Sequence, residues 1–152
     1  FAFDEAKTAL LIDCDLRHPS QHLALDLDAE AEGLINYLEH PAHGIKPILH
    51  HTGIPRLRVI PAGKPREAQA EYFSSFRMRA VLDSLRCRYP DRYLFLDGPP
   101  IKGSPDARIL SDLADFVVVV AGYGRDSSAA INRAVAGFDP DKLAGLVFNE
   151  AP

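Results

Sequence analysis

The chain has 152 residues, 47% of them hydrophobic and 25% charged, with a formal net charge of −4. That is enough chain for one domain with a real core, and the acidic balance argues against a nucleic-acid surface, which needs clustered Lys and Arg. No apolar run approaches the roughly 20 residues needed to span a bilayer, no secretory signal is visible, and Cys14 and Cys87 follow no metal-ligand spacing, so a reduced cytoplasmic setting is the expectation.

The first predicted element is a strand over about Thr8–Asp13, an apolar run that ends in Asp13-Cys14-Asp15-Leu16-Arg17-His18-Pro19. A short apolar run closed by turn residues reads as a parallel strand buried on both faces. Glu30–Glu39 follows as a helix with Leu34, Ile35 and Leu38 on one face. Glu39–Pro55 holds Pro41, Gly44, Pro47, Gly53 and Pro55 and reads as a loop. A second strand covers Leu57–Pro61 and runs into a basic turn, Pro61–Arg66. Glu71–Tyr89 places Phe73, Phe76, Val81, Leu82 and Leu85 at helical spacing. The strand Tyr93–Asp97 is again apolar and tipped by acid, and Gly98-Pro99-Pro100 then fixes its exit direction. Asp106–Leu113 and Ser127–Phe138 are shorter helices whose starts Ser104-Pro105 and Asp126-Ser127 supply. Between them Phe116–Ala121 is a β-branched run without polar alternation, which predicts burial on both faces. Leu143–Asn149 is the last strand. Strand–helix alternation implies an α/β fold, a mostly parallel sheet with helices on both faces, and one domain over 1–152.

Functional groups in open α/β sheets gather at the carboxyl ends of the strands. Acids delivered there can hold a hydrated Mg²⁺ and orient phosphates. In this reading Asp15 faces a Mg²⁺-bound water or an attacking hydroxyl, Asp13 braces the turn, and Arg17 contacts phosphate or a partner subunit. The alternative is a strand end whose acids merely cap the next turn. The spacing of Asp13 and Asp15 alone leaves the two even; the second acid-tipped strand, ending at Asp97, favours the first. No G-x-x-x-x-G-K-[ST] loop occurs in the sequence. His40, His43, His50 and His51 read as solvated loop histidines, since no Cys or acidic partner has metal-ligand spacing. Lys64 and Arg66 read as a solvated loop. Tyr72, Tyr89 and Tyr93 read as packing residues. Cys14 reads as buried, with neighbouring carboxylates that raise its pKa.

These motifs resemble the cytoplasmic kinase domains of bacterial tyrosine kinases that control exopolysaccharide and capsule synthesis, members of the MinD/ParA-like branch of P-loop ATPases. Leu-Ile-Asp13-Cys-Asp15-Leu-Arg17-His-Pro19 is similar to the family's Walker A-prime motif. Leu-Phe-Leu-Asp97-Gly-Pro-Pro100 is similar to its Walker B motif, with Gly98 where the family usually has Thr, Ser or Ala. The resemblance continues through Gly33-Leu34, Val59-Ile60-Pro61-Ala62-Gly63, Ser104-Pro105-Asp106-Ala107, Ala114–Val120 and Gly145–Asn149, and so covers nearly the whole chain. Glu71–Ser75 and Arg88–Tyr93 look closest to exosortase-associated members.

The resemblance implies a P-loop NTPase architecture that binds ATP and Mg²⁺. Asp15 would act near Mg²⁺ and the transferred phosphoryl, Asp97 would hold Mg²⁺ through water, Asp13 would support both, and Asn149 would contact the adenine edge. It implies a membrane-embedded activator or polysaccharide co-polymerase, assembly with like subunits, and a cytoplasmic place at the inner membrane through that partner. The family's first strand and Walker A loop have no counterpart in this stretch. Phe1–Lys7 reads as the tail of the helix that follows them, and this stretch alone is expected to be inactive. The sequence starts at Phe1 with Met78 as its one methionine, which fits an excerpt of a longer protein. The tyrosines at 37, 72, 89, 93 and 123 form no terminal cluster of the kind that autophosphorylated members carry. Two alternatives stand beside the kinase: a non-enzymatic ATPase-like scaffold of a polysaccharide export complex, and a MinD/ParA-type ATPase switch.

Overall fold

The structure, a computed structural model, describes residues 6–64 and 72–150. The Glu71 start of the predicted third-strand-preceding helix, Arg66 of the basic turn, and Phe1–Glu5 lie outside the described residues. The chain divides into two compact units, Phe1–Pro99 and Pro100–Pro152.

In the first unit four strands lie in the order β2–β3–β1–β4, with β1 at Thr8–Asp13, β2 at His50–His51, β3 at Leu57–Ile60 and β4 at Arg92–Asp97. β1 runs parallel to both β3 and β4, and only β2 is antiparallel. The central position of β1 explains its near-continuous apolar sequence: the neighbours Ala9 and Leu10, which point to opposite faces, are both buried, and Ile12 is buried on the face of Leu10. Also buried in this unit are Leu34, Ile35 and Leu38 from α2 (Leu34–Glu39), and Met78, Val81, Leu82 and Leu85 from α3 (Phe76–Arg88). α3 begins where Ser75 Oγ accepts a hydrogen bond from the Met78 backbone N–H at 3.2 Å, an N-cap that satisfies one donor the helix cannot. A four-residue helix, α1 (Gln21–Ala24), follows the turn after β1.

Three expectations for this unit need correction. The helix expected from Glu30 starts only at Leu34, because Gly33 lies pressed against the loop that leaves β3. There the Leu34 and Ile35 N–H groups donate to Pro61 O at 2.8 Å and Ala62 O at 3.0 Å, so the loop itself caps α2. The helix expected to place Phe76 in the core starts at Phe76, which is 82% exposed, while Phe73, just outside the helix, is buried. β4 is not a fully buried run: it is the edge of its sheet, and Tyr93 and Phe95 turn one partly exposed face outward.

The second unit holds α4 (Asp106–Leu113), β5 (Val117–Gly122), α5 (Ser128–Val135) and β6 (Leu143–Asn149). β5 and β6 pair in parallel as a two-stranded sheet. Ser127 Oγ caps α5 by accepting from the Ala130 N–H at 3.3 Å. At the other end of α4, Lys142 Nζ donates to the carbonyls of Ser111 at 3.3 Å and Asp112 at 2.9 Å, which answers two of the open acceptors of that helix. The valine run corrects another expectation. Val119 and Ala121 are buried, but Val118 is 57% and Val120 63% exposed. Alternation along a strand sends neighbours to opposite faces, and only one face of this sheet is packed within its unit.

Candidate functional site

The parallel register of β1 and β4 sets Asp13 directly beside Asp97, so both strands deliver an acid at the same level of the sheet. Neighbouring strands lie about 4.8 Å apart, which places these two backbones as close as the fold allows. The Cys14 N–H donates to the Asp97 carbonyl at 2.8 Å and carries the ladder one step further.

Asp13 is fully buried. Its Oδ1 accepts the Asp15 N–H, and its Oδ2 accepts the N–H groups of Ser20 and Gln21, each at 3.1 Å. The carboxylate therefore closes the turn from β1 into α1. Burial pushes its pKa above the usual carboxylate range; the three N–H bonds work against that, and the nearby Asp97 charge works with it. Cys14 is buried between the strand tips, and burial together with the Asp13 and Asp97 charges raises its thiol pKa well above the ordinary value.

Asp15 is partly exposed and faces outward from the turn. Its Oδ1 accepts the His18 N–H at 3.1 Å, with His18 Nδ1 at 3.9 Å. Arg17 lies on the exposed side of the same turn. Asn149 ends β6 in the second unit, exposed, and its backbone carbonyl accepts the Tyr123 N–H at 2.8 Å. The first unit thus brings Asp13, Asp15, Arg17 and Asp97 onto the carboxyl ends of two adjacent strands and the turn beyond them.

One participant escaped the sequence reading. The side-chain amide of Gln21 donates to Asp97 Oδ2. Nothing in the spacing signals it, because Gln21 and Asp97 are 76 positions apart and meet only through β1–β4 pairing.

Among the described residues no three His, Cys, Asp or Glu side chains gather to hold a metal ion alone. Mg²⁺ does not need such a cage: it keeps several waters and binds through one or two carboxylates plus substrate phosphates. Asp97 Oδ1 receives no hydrogen bond from a described residue, and all donors here are hard oxygens, so the pair Asp15 and Asp97 fits that mode of binding.

The remaining polar candidates have ordinary work. His50 Nε2 lies 2.7 Å from the Glu32 carbonyl, and the His40 and His43 rings stack at 5.6 Å. Lys64 pairs with Glu30 at 2.8 Å in solvent. Tyr72 donates to Glu39 at 2.6 Å, and the Tyr89 ring lies under the Arg92 guanidinium at 3.9 Å. A cavity of about 490 Å³ lies wholly in the second unit, lined by Lys102, Arg108, Val119, Asp126 and Arg133 among others, and Asp13, Asp15 and Asp97 do not line it.

No protein-family profile matches the chain. Among curated proteins, the tyrosine-protein kinase YwqD of Bacillus subtilis is 31% identical over 148 residues, 95% of this chain and 60% of its own. The tyrosine-protein kinase CpsD of Streptococcus agalactiae is 27% identical over 143 residues, 93% of this chain and 61% of its own. This chain's homologues are bacterial tyrosine-protein kinases. It spans only part of the relatives it matches, down to 19% of the kinase ptk of Acinetobacter johnsonii. Solved structures agree on the fold. The kinase domain of VpsO superposes with a TM-score of 0.88 at 24% identity, covering 96% of this chain and 71% of that one. MinD of Pyrococcus horikoshii, solved with Mg-ADP, gives 0.67 at 17% identity over 95% of this chain and 58% of its own. The architecture is that of bacterial tyrosine-kinase domains and MinD/ParA-like P-loop NTPases, with mostly parallel sheets.

Proposed function

We propose that this chain is the acid-bearing part of an ATP-dependent protein-tyrosine kinase domain that serves exopolysaccharide or capsule production. The observation that carries the reading is the in-register pair of acid-tipped parallel strands, β1 and β4, in a chain whose homologues are tyrosine kinases. Phosphoryl transfer asks little covalent chemistry of a protein and depends on positioning and charge neutralisation. Mg²⁺, when bound with nucleotide, would supply that neutralisation. Asp97 would orient a metal-bound water through its open oxygen, Asp15 would face the attacking tyrosine hydroxyl and accept its proton, and Asp13 would hold the turn that presents Asp15. Arg17 would meet phosphate or a neighbouring subunit, and Asn149 the adenine edge.

The intact protein would assemble with like subunits and answer to a membrane-embedded activator. No described helix is long and apolar enough to cross a membrane, so in this reading the domain reaches the inner membrane from the cytoplasm through that partner. The test is calorimetric titration of Mg-ATP into the full-length protein, followed by autophosphorylation on tyrosine. Asp15→Ala should lower phosphotransfer by about 10²-fold or more. Full-length protein that binds no nucleotide at millimolar Mg-ATP would leave a non-enzymatic scaffold; hydrolysis without tyrosine phosphorylation would leave a MinD/ParA-type switch.

A further inference from the structure

Gln21 touches both acidic strand tips. Its backbone N–H donates to Asp13 Oδ2 at 3.1 Å, and its side-chain Nε2 donates to Asp97 Oδ2. It opens α1, a helix of four residues, Gln21–Ala24, whose place is fixed by Asp13 accepting the Ser20 and Gln21 N–H groups. One side chain therefore ties the turn after β1 to the end of β4. Its chemistry suits an acid that must stay available. An amide donates one directed hydrogen bond and carries no charge, so it fixes the plane of the Asp97 carboxylate without neutralising it. Lys or Arg at this place would form an ion pair and compete with any cation. With Oδ2 held, Oδ1 is left without a donor among the described residues.

We propose that Gln21 is a positioning residue that presents Asp97 Oδ1 to hydrated Mg²⁺. The inference rests on the reading of Asp97 as the metal-facing acid. Groups that orient a metal's carboxylate from behind typically contribute 10–100-fold in metal affinity, so the loss of this one hydrogen bond should be measurable without any turnover.

The experiment is Mn²⁺ binding in the presence of ADP, followed by the electron paramagnetic resonance of free Mn²⁺, in the full-length protein and its Gln21→Met, Gln21→Asn and Asp97→Ala variants. Met keeps the length and volume of Gln but has no donor; Asn keeps the amide but falls one methylene short. Both should bind Mn²⁺ roughly tenfold or more weakly, with melting temperatures near that of the unchanged protein. The Gln21 side-chain NH₂ signals in ¹⁵N spectra, identified by their loss in Gln21→Met, should shift in Asp97→Ala. Native affinity in Gln21→Met or Gln21→Asn beside lost binding in Asp97→Ala would overturn the role of Gln21 and leave Asp97 standing. Native affinity in Asp97→Ala would overturn the metal reading itself, and this inference with it.

Discussion

Asp13 and Asp15 are two positions apart, yet the structure gives them opposite surroundings. Asp13 is enclosed, and three backbone N–H groups converge on its two oxygens. Asp15 has one such bond and an open side toward solvent. A buried acceptor of this kind is expensive to remove because its donors are then stranded. Asp13→Ala should destabilise the fold by on the order of 3 kcal/mol, read as a lower denaturant midpoint at unchanged slope, whereas Asp15→Ala should leave the midpoint close to its original value. Equal loss in the two variants would contradict the division of labour seen here. Cys14 belongs to the same enclosed environment: with its thiol pKa pushed up by burial and by two acids, it is a packing residue of the strand end.

Among the elements, α2 shows how a glycine can set a boundary. A Cβ on Gly33 would collide with the Pro61 carbonyl and the Gly63 nitrogen, and would stand 2.7 Å from the Ala62 carbonyl carbon. Gly63 itself has φ +85°, where a side chain is strained. The two glycines let the loop after β3 lie flat on the α2 start, where its carbonyls accept the Leu34 and Ile35 N–H groups. Gly33→Ala should therefore cost about 2 kcal/mol or more, since backbone on both sides must move; a midpoint within experimental error of the unchanged protein would show that the loop yields freely. The bounds of β1 and β6 and of α4 were legible because apolar runs there meet clear turn or cap signals, such as Ser104-Pro105 before Asp106. β2 was not legible, because two histidines carry no strand periodicity, and neither was α1, which is one turn organised by Asp13. Of the candidate site, Asp13, Asp15 and Asp97 could be read from their places at strand ends. Gln21 could not, since its contact depends on strand pairing that local sequence does not encode.

At the scale of the whole molecule, a uniform valine run proved ambiguous: β-branched residues favour a strand whether or not both faces are covered. Val118 and Val120 leave an apolar stripe that continues to Val147 on β6, half exposed. Exposed apolar stripes of this kind mark surfaces that associate. Replacing Val118 and Val120 together by Thr keeps the branching and should change stability by less than about 0.5 kcal/mol per site, while lowering light scattering in concentrated solution. A large loss of stability would instead mean that these side chains are packed in solution. The parallel register of β1 and β4 reaches further than geometry. Asp13 stands beside Asp97 only when Thr8 stands beside Arg92, and a slip of one residue sends alternate side chains to opposite faces. A mis-threaded molecule would keep every acid in its sequence and yet have no acid pair. Proofreading is thus built into the pairing itself: the fraction of chains that present both carboxylates together would count the fraction that folded correctly.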